Sequence, residues 1–228
     1  MAPIAWSLIE TIEEIQGERF HLEALPSFEA ASAEAYRRLG AWGDAAARDD
    51  LSPMFGVIWG AARVLARRLA LEVRRGEQLL ELGCGLALPS LVAARRGARV
   101  TATDQHPDTG ALLSRNLSKN GLSDRVRYLT LDWRLPNPLL PAVSFDRVIA
   151  SDVLYSRELP ALVASMFARF LRPGGVGWLA DPGRAWLPEV VEAGRVRGLQ
   201  VTIDVDRDDL GGEAFVVVFT RGAPAGPA

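Results

Sequence analysis

Short continuous apolar runs alternate along this chain with stretches of helical spacing. The runs at 79–82, 99–103, 126–131, 145–150, 176–180, 200–205 and 214–220 are bounded by glycine, proline or polar residues. Their brevity and their flanks predict buried strands. Between them the apolar residues recur three and four apart, which predicts helices over 57–70, 88–96, 107–120, 158–171 and 187–197. Val57, Ile58, Ala61, Leu65 and Leu69 form the stripe of the first helix, with Trp59 in its opening turn. Pro107 and Gly121 bracket the third. Arg172-Pro173-Gly174-Gly175 reads as a turn before the fifth strand. Alternation of this kind predicts an α/β fold around a mostly parallel sheet. Residues 206–213 are too few for a crossover, so the last two strands are expected to pair antiparallel.

The first fifty residues fit two patterns. Ile4, Leu8, Ile12 and Ile15 have helical spacing, whereas Phe20, Leu22 and Ala24 alternate as in a strand. A helix followed by a strand and a β-hairpin turning near Gly17 both satisfy them. Residues 28–40 read as a helix capped by Ser27, 44–53 as a mobile polar loop, and 222–228 as a disordered tail. The chain therefore divides into an N-terminal extension (1–54), a main domain (55–221) and the tail.

Composition narrows the partners. With 228 residues, 49% of them hydrophobic, the chain can bury one large core. A formal charge of −2 supplies no global attraction to nucleic acid or an anionic membrane. Glu10, Glu13 and Glu14 interrupt the first apolar stretch, so it does not read as a signal peptide, and no run is long enough to cross a bilayer. The single cysteine, Cys84, forbids an internal disulfide and fits a reducing compartment. A cytoplasmic monomer is expected. No metal is expected, since His21 and His106 are far apart and no ligand cluster is visible.

The stretch Gln-Leu-Leu-Glu-Leu-Gly-Cys-Gly-Leu-Ala-Leu-Pro-Ser at 78–90 is a strand, a glycine turn and a helix start. Gly83 and Gly85 let backbone approach a ligand where side chains would block it, and the following helix aims its positive end there. A dinucleotide fingerprint needs glycine where this chain has Leu88. The acidic-x-Gly-x-Gly-x-Gly pattern of S-adenosylmethionine methyltransferases fits Glu81, Gly83 and Gly85, with Ala87 in the last place. Cys84 reads as a small packed residue within that cofactor-facing turn. Asp104 closes the next strand, where an acceptor-only carboxylate can bind a ribose diol, with Gln105 beside it. Asp132 and Trp133 follow the third strand, placed to contact an adenine. Ser151-Asp152-Val153-Leu154-Tyr155 leaves the fourth.

Four pieces resemble the methyltransferase-like seven-β-strand lysine methyltransferases, a class I family that includes enzymes acting on elongation factors, chaperones and the electron-transfer flavoprotein β subunit. They are Phe55-Gly56-Val57-Ile58-Trp59, the Glu-Leu-Gly-Cys-Gly turn, Leu131-Asp132-Trp133 and Ser151-Asp152-Val153-Leu154-Tyr155. The segment 112–121, with Asn116 and Asn120-Gly121, is also similar. The resemblance implies a Rossmann-like sheet of seven strands, mostly parallel, with a terminal antiparallel hairpin and helices on both faces. It implies S-adenosyl-L-methionine as cofactor, surrounded by Glu81, Gly83, Gly85, Asp104 and Trp133 with Trp59 against it, and Cys84, Gln105, Asp132 and Ser151 are the further cofactor-binding candidates beside them. It places Asp152 and Tyr155 where the target amine enters, and gives the extension, as a substrate-side cap, a part in choosing the substrate.

The expected reaction is N-methylation of a lysine on a protein substrate. Asp152 would orient the amine and accept a proton or hydrogen bond, yet its charge also favours the unreactive ammonium. Tyr155 would offer a ring face or its hydroxyl. N- or O-methylation of a small molecule, such as an amine, is the alternative, and a catalytically silent cofactor-binding interaction module the second. Nucleic acid is not expected as a substrate, because no Asn-Pro-Pro-Tyr type motif is present.

Overall fold

The structure, a computed structural model, describes residues 6–39, 52–135 and 138–222. The expected mobile loop lies mostly outside these residues, as does the tail beyond Gly222. The N-terminal segment is a hairpin, β1 (Ile9–Ile15) and β2 (Glu18–Ala24). Gln16 and Gly17 take φ of +50° and +76°, the two consecutive left-handed residues of a tight two-residue turn. Ile15, Phe20 and Leu22 are buried, while Ile12 faces outward, 53% exposed. The helical spacing of Leu8, Ile12 and Ile15 is therefore coincidental, and alternation, the second pattern, decides the segment.

Helix α1 (Phe28–Leu39) follows, with Ser27 Oγ accepting from Ala30 N as its cap. A 3-10 turn (Pro53–Gly56) and an extended stretch lead to α2 (Gly60–Glu72). This helix starts later than its apolar stripe suggests, so Trp59 is its N-cap residue, with φ −90° and ψ 152°. Trp59 cannot cap with its side chain, and Asp152 Oδ2 accepts from Ala61 N instead.

The main sheet comprises β3 (Gln78–Leu82), β4 (Arg99–Asp104), β5 (Val126–Thr130), β6 (Phe145–Ser151), β7 (Leu171–Asp181), β8 (Gln200–Arg207) and β9 (Glu213–Thr220). Its order is β5-β4-β3-β6-β7-β9-β8. Pairs β3–β4, β3–β6, β4–β5 and β6–β7 are parallel, and β9 is antiparallel to both β7 and β8. The Pro-Gly-Gly turn lies inside the bounds of β7, where the register jumps from Phe145↔Leu171 to Arg147↔Val176. Helices α3 (Leu88–Arg95), α4 (Thr109–Lys119), α5 (Leu159–Phe170) and α6 (Leu187–Val196) complete the fold.

Two apolar cores sandwich the sheet. On one face α2, α3 and the hairpin residues Ile15, Phe20 and Leu22 share a core with Leu79 and Ile149. On the other, α5 and α6 cover Leu80, Leu82 and Val148. The expected extension thus packs into the same core as the sheet. Its outer strand edge meets α4, where Asn116 accepts from Glu23 N and donates to Glu23 O, and Asn120 does the same at His21. Spaced one helical turn apart, the two amides stand in for a third strand of the hairpin.

Candidate functional site

The chain reverses its direction of travel across the sheet between β3 and β6. Ligands of open α/β sheets lie beyond the carboxyl ends of strands at such a switch. A hollow of about 320 Å³ opens there. It is lined by Trp59, Gly83, Cys84, Gly85, Asp104, Gln105, Asp132, Trp133, Ser151, Asp152 and Tyr155, eleven of the twelve residues that the sequence nominated.

Glu81 is the twelfth, and the structure places it beneath the turn. Alternation along β3 puts Glu81 on the same face as Leu79, under α3. Its Oε2 accepts from Ser90 N at 3.1 Å and from the Ser90 hydroxyl. Glu81 is 1% exposed, and burial pushes its pKa up to about 8. It therefore anchors the first turn of α3 to β3, mostly protonated at neutral pH.

The turn itself requires its glycines twice over. Gly83 and Gly85 have φ of +66° and +50°. A Cβ on Gly83 would come within 3.0 Å of Val153 Cγ1, and one on Gly85 within 3.0 Å of the Phe55 carbonyl oxygen. Ala87, in the place of the pattern's last glycine, takes φ +58° as N-cap of α3. The backbone path is kept, at a cost of about 1 kcal/mol in strain.

Asp104 stands at the end of β4, its Oδ2 accepting from Gly85 N and its Oδ1 from His106 N, both at 2.9 Å. Burial raises its carboxyl above the usual range, and these two N–H groups oppose the rise. Each oxygen retains a lone pair, so the carboxylate can still accept from two hydroxyls of a sugar. Across the hollow Trp133 packs against Gly83. Asp132 is gripped by Arg134, Oδ1 by Nε at 2.9 Å and Oδ2 by Nη2 at 2.8 Å.

The acid at the end of β6 is also engaged. Asp152 has φ +59°, an uncommon conformation for aspartate. Its Oδ2 accepts from Ala61 N at 3.0 Å and its Oδ1 lies 3.0 Å from Arg184 Nη1. Burial pushes the Asp152 carboxyl up, and Arg184 and the Ala61 N–H pull it back. Tyr155 is 39% exposed at the rim.

Several lining residues escaped the sequence patterns. Phe28, from α1, tilts against Trp59 with ring centroids 5.7 Å apart. Phe55 and His106 stack at 4.0 Å. Arg184 follows β7, whose carboxyl end necessarily faces the same crevice because β7 neighbours β6. That neighbour rule was the available signal for Arg184; Phe28 and the stacked pair arrive by tertiary packing. Among the described residues no group of three or more His, Cys, Asp or Glu side chains could hold a metal, and no helix is long and apolar enough to cross a membrane.

A family model described as lysine methyltransferase matches residues 47–175. The chain is 34% identical over 116 residues to protein N-lysine methyltransferase METTL21A of Danio rerio, covering 48% of this chain and 53% of that protein. It is 33% identical over 117 residues to a ubiquinone biosynthesis O-methyltransferase of Methylocella silvestris, covering 51% and 44%. It thus spans about half the length of the curated relatives it matches. Among solved structures, a TehB-like SAM-dependent methyltransferase from Corynebacterium glutamicum superposes with a TM-score of 0.55 at 20% identity, covering 85% of this chain and 99% of that one. At that identity the likeness is one of fold.

Proposed function

The chain belongs to the lysine methyltransferase family, whose methyl donor is S-adenosyl-L-methionine, and from that premise we propose that it methylates the side-chain amine of a lysine in a protein substrate. One observation carries this reading: a single hollow is lined by the glycine turn, Asp104, the largely buried Asp152 and the exposed Tyr155. When bound, the cofactor supplies a methyl group on a positively charged sulfur, open to attack by a lone pair.

The residues present fit such a ligand. The glycine turn offers backbone to the hollow along a path that only glycine follows freely, since a Cβ would press on Val153 at Gly83 and on the Phe55 carbonyl at Gly85. Asp104 would hold the ribose through its remaining lone pairs. Trp133 and Trp59 would bound the adenosyl and methionyl portions and exclude water. No metal is needed to activate the methyl group. What the protein contributes is alignment of the amine with the methyl–sulfur bond. Asp152 would orient that amine as acceptor, and the half-exposed Tyr155 would present its ring or hydroxyl at the entrance.

The likeness to a ubiquinone biosynthesis O-methyltransferase supports a second reading, methyl transfer to a small molecule. Incubation with isotopically labelled S-adenosylmethionine and a lysate, followed by mass spectrometry, separates the two. The background is favourable, because Lys119 is the one lysine in 228 residues, and it is paired with Glu10 and Glu23. Label on a lysine of a protein other than this chain is the expected result. Label confined to small molecules would overturn the lysine reading.

A further inference from the structure

A lone carboxylate is an awkward neighbour for a reacting amine, because it stabilises the ammonium, which has no lone pair to give. Asp152 is not alone. Arg184 Nη1 lies 3.0 Å from its Oδ1, and the amide of Ala61, at the positive end of α2, donates to its Oδ2. The guanidinium is held in place from behind. The same Nη1 donates to Asp181 Oδ2 at 2.8 Å, and Asp181, fully buried, also accepts from Gly183 N and Arg184 N. Arg184 is only a quarter exposed and stands in the lining with Asp152 and Tyr155. The remaining charged groups of that side are Glu158, on the segment after Asp152, and the Asp132–Arg134 pair from the loop after β5; Asp104 and His106 lie on the glycine-turn side. Among these, Arg184 is the cation joined to Asp152.

We propose that Arg184 is a positioning residue that favours the neutral form of the target amine: shared between Asp152 and the buried Asp181, it offsets part of the Asp152 carboxylate's pull on an ammonium while leaving it able to accept a hydrogen bond. This rests on the reading that the acceptor is a lysine amine. The lysine gives its proton to water before transfer. Its nitrogen lone pair then forms the new N–C bond as the methyl–sulfur bond breaks, that bond's electrons stay on sulfur, and the product leaves as a methylammonium. Asp152 thereby orients without trapping the amine in its charged form.

The test uses binding, so it needs no acceptor. Sinefungin is an analogue of the cofactor with a primary amine where the methylated sulfur stands; S-adenosylhomocysteine lacks that amine. Calorimetry of both ligands is run on the wild type, R184M, R184K and the double variant D152N/R184M. At pH 7, where the sinefungin amine is protonated, R184M is expected to bind it about tenfold more tightly than wild type, with S-adenosylhomocysteine unchanged. The gain should shrink toward pH 10 as the amine loses its proton. R184K keeps the charge and should match wild type, and the double variant should return to it. If R184M does not bind S-adenosylhomocysteine, R184Q replaces it in the comparison. Sinefungin affinity that is unchanged or weaker at pH 7, with S-adenosylhomocysteine still bound, overturns this inference alone. A wild-type protein that binds neither ligand removes the methyl-donor reading and this inference with it.

Discussion

Glu81 offers the sharpest test of how the site is built. Its carboxyl is buried against Ser90 and pushed from an ordinary 4.5 up to about 8. Burial is the main cause, and the nearby Asp104 adds like-charge repulsion. In the unfolded chain the same group ionises near 4.5. A carboxyl whose folded pKa is raised favours the folded state fully below the unfolded value. From there the unfolded state sheds its proton first, and stability falls by about 1.4 kcal/mol per pH unit until the folded group also ionises near 8. The gap between the two values amounts to about 4–5 kcal/mol.

Glu81→Gln removes that ionisation and keeps an oxygen for Ser90. The variant should match wild type near pH 4.5 and exceed it by about 4 kcal/mol at pH 8.5. For a chain of this size that is a melting-temperature gain on the order of 10 °C. Thermal or urea unfolding from pH 4.5 to 9 gives the difference curve, in which titrations of other groups cancel. S-adenosylhomocysteine affinity should be preserved, because Glu81 lies beneath the turn and outside the lining. A difference curve flat with pH would refute the buried, protonated carboxyl. Preserved stability with lost ligand binding would instead return Glu81 to the cofactor.

Three further outcomes follow from the same geometry. Asp104→Asn should weaken S-adenosylhomocysteine by about tenfold or more in calorimetry, since a charged acceptor is lost at the position proposed to hold the ribose, with little change in fold by circular dichroism. Asn116→Ala should cost about 2–4 kcal/mol in urea unfolding, because it strands the buried N–H and C=O of Glu23; an effect below about 1 kcal/mol would mean that water replaces the amide. Asp152→Asn keeps an oxygen for Ala61 N and should retain cofactor affinity while lowering turnover about tenfold or more, measured as labelled methyl transfer to the acceptor found in lysate. Unchanged turnover would remove Asp152 from the amine site.

The seven strands were legible because most are buried on both faces and read as apolar runs with turn residues at their ends. The hairpin was not, because Gln16 is no recognised turn signal: glutamine rarely takes a left-handed conformation, and only Gly17 announced the bend. The start of α2 reads too early from its spacing because Val57 and Ile58 are apolar for a different reason, packing ahead of the helix against a third, smaller cluster with Leu25, Phe55, Leu86 and Leu112. Most residues lining the hollow were legible because strand ends concentrate them: Asp104, Asp132 and Asp152 each lie at or just beyond a carboxyl end. Phe28 reaches the hollow from another element altogether. Glu81 shows the limit of motif spacing. The pattern gives its position in the chain, but which side of the strand it faces is set by alternation, and that sends it under α3.

The four acids of the motifs share a property that bears on mechanism. Each is already engaged by a group of the protein: Glu81 by Ser90, Asp104 by Gly85 and His106, Asp132 by Arg134, Asp152 by Ala61 and Arg184. The three aspartates held this way are poor proton carriers, because taking up a proton would cost them their donors, and Glu81, already protonated beneath the turn, has no charge left to take one. The aspartates are good fixed acceptors, because their lone-pair directions are set before a ligand arrives. Methyl transfer from a sulfonium asks for the second quality more than the first. The methyl carbon is already electrophilic, so the barrier is lowered by alignment and exclusion of water, and the amine's surplus proton can leave through solvent at the open rim. A site that worked by proton abstraction would need at least one of these acids unpaired and facing the acceptor. Their engagement weighs toward the aligning role proposed for Asp152, and it is consistent with the proposal that the cation beside it governs the protonation of a lysine acceptor.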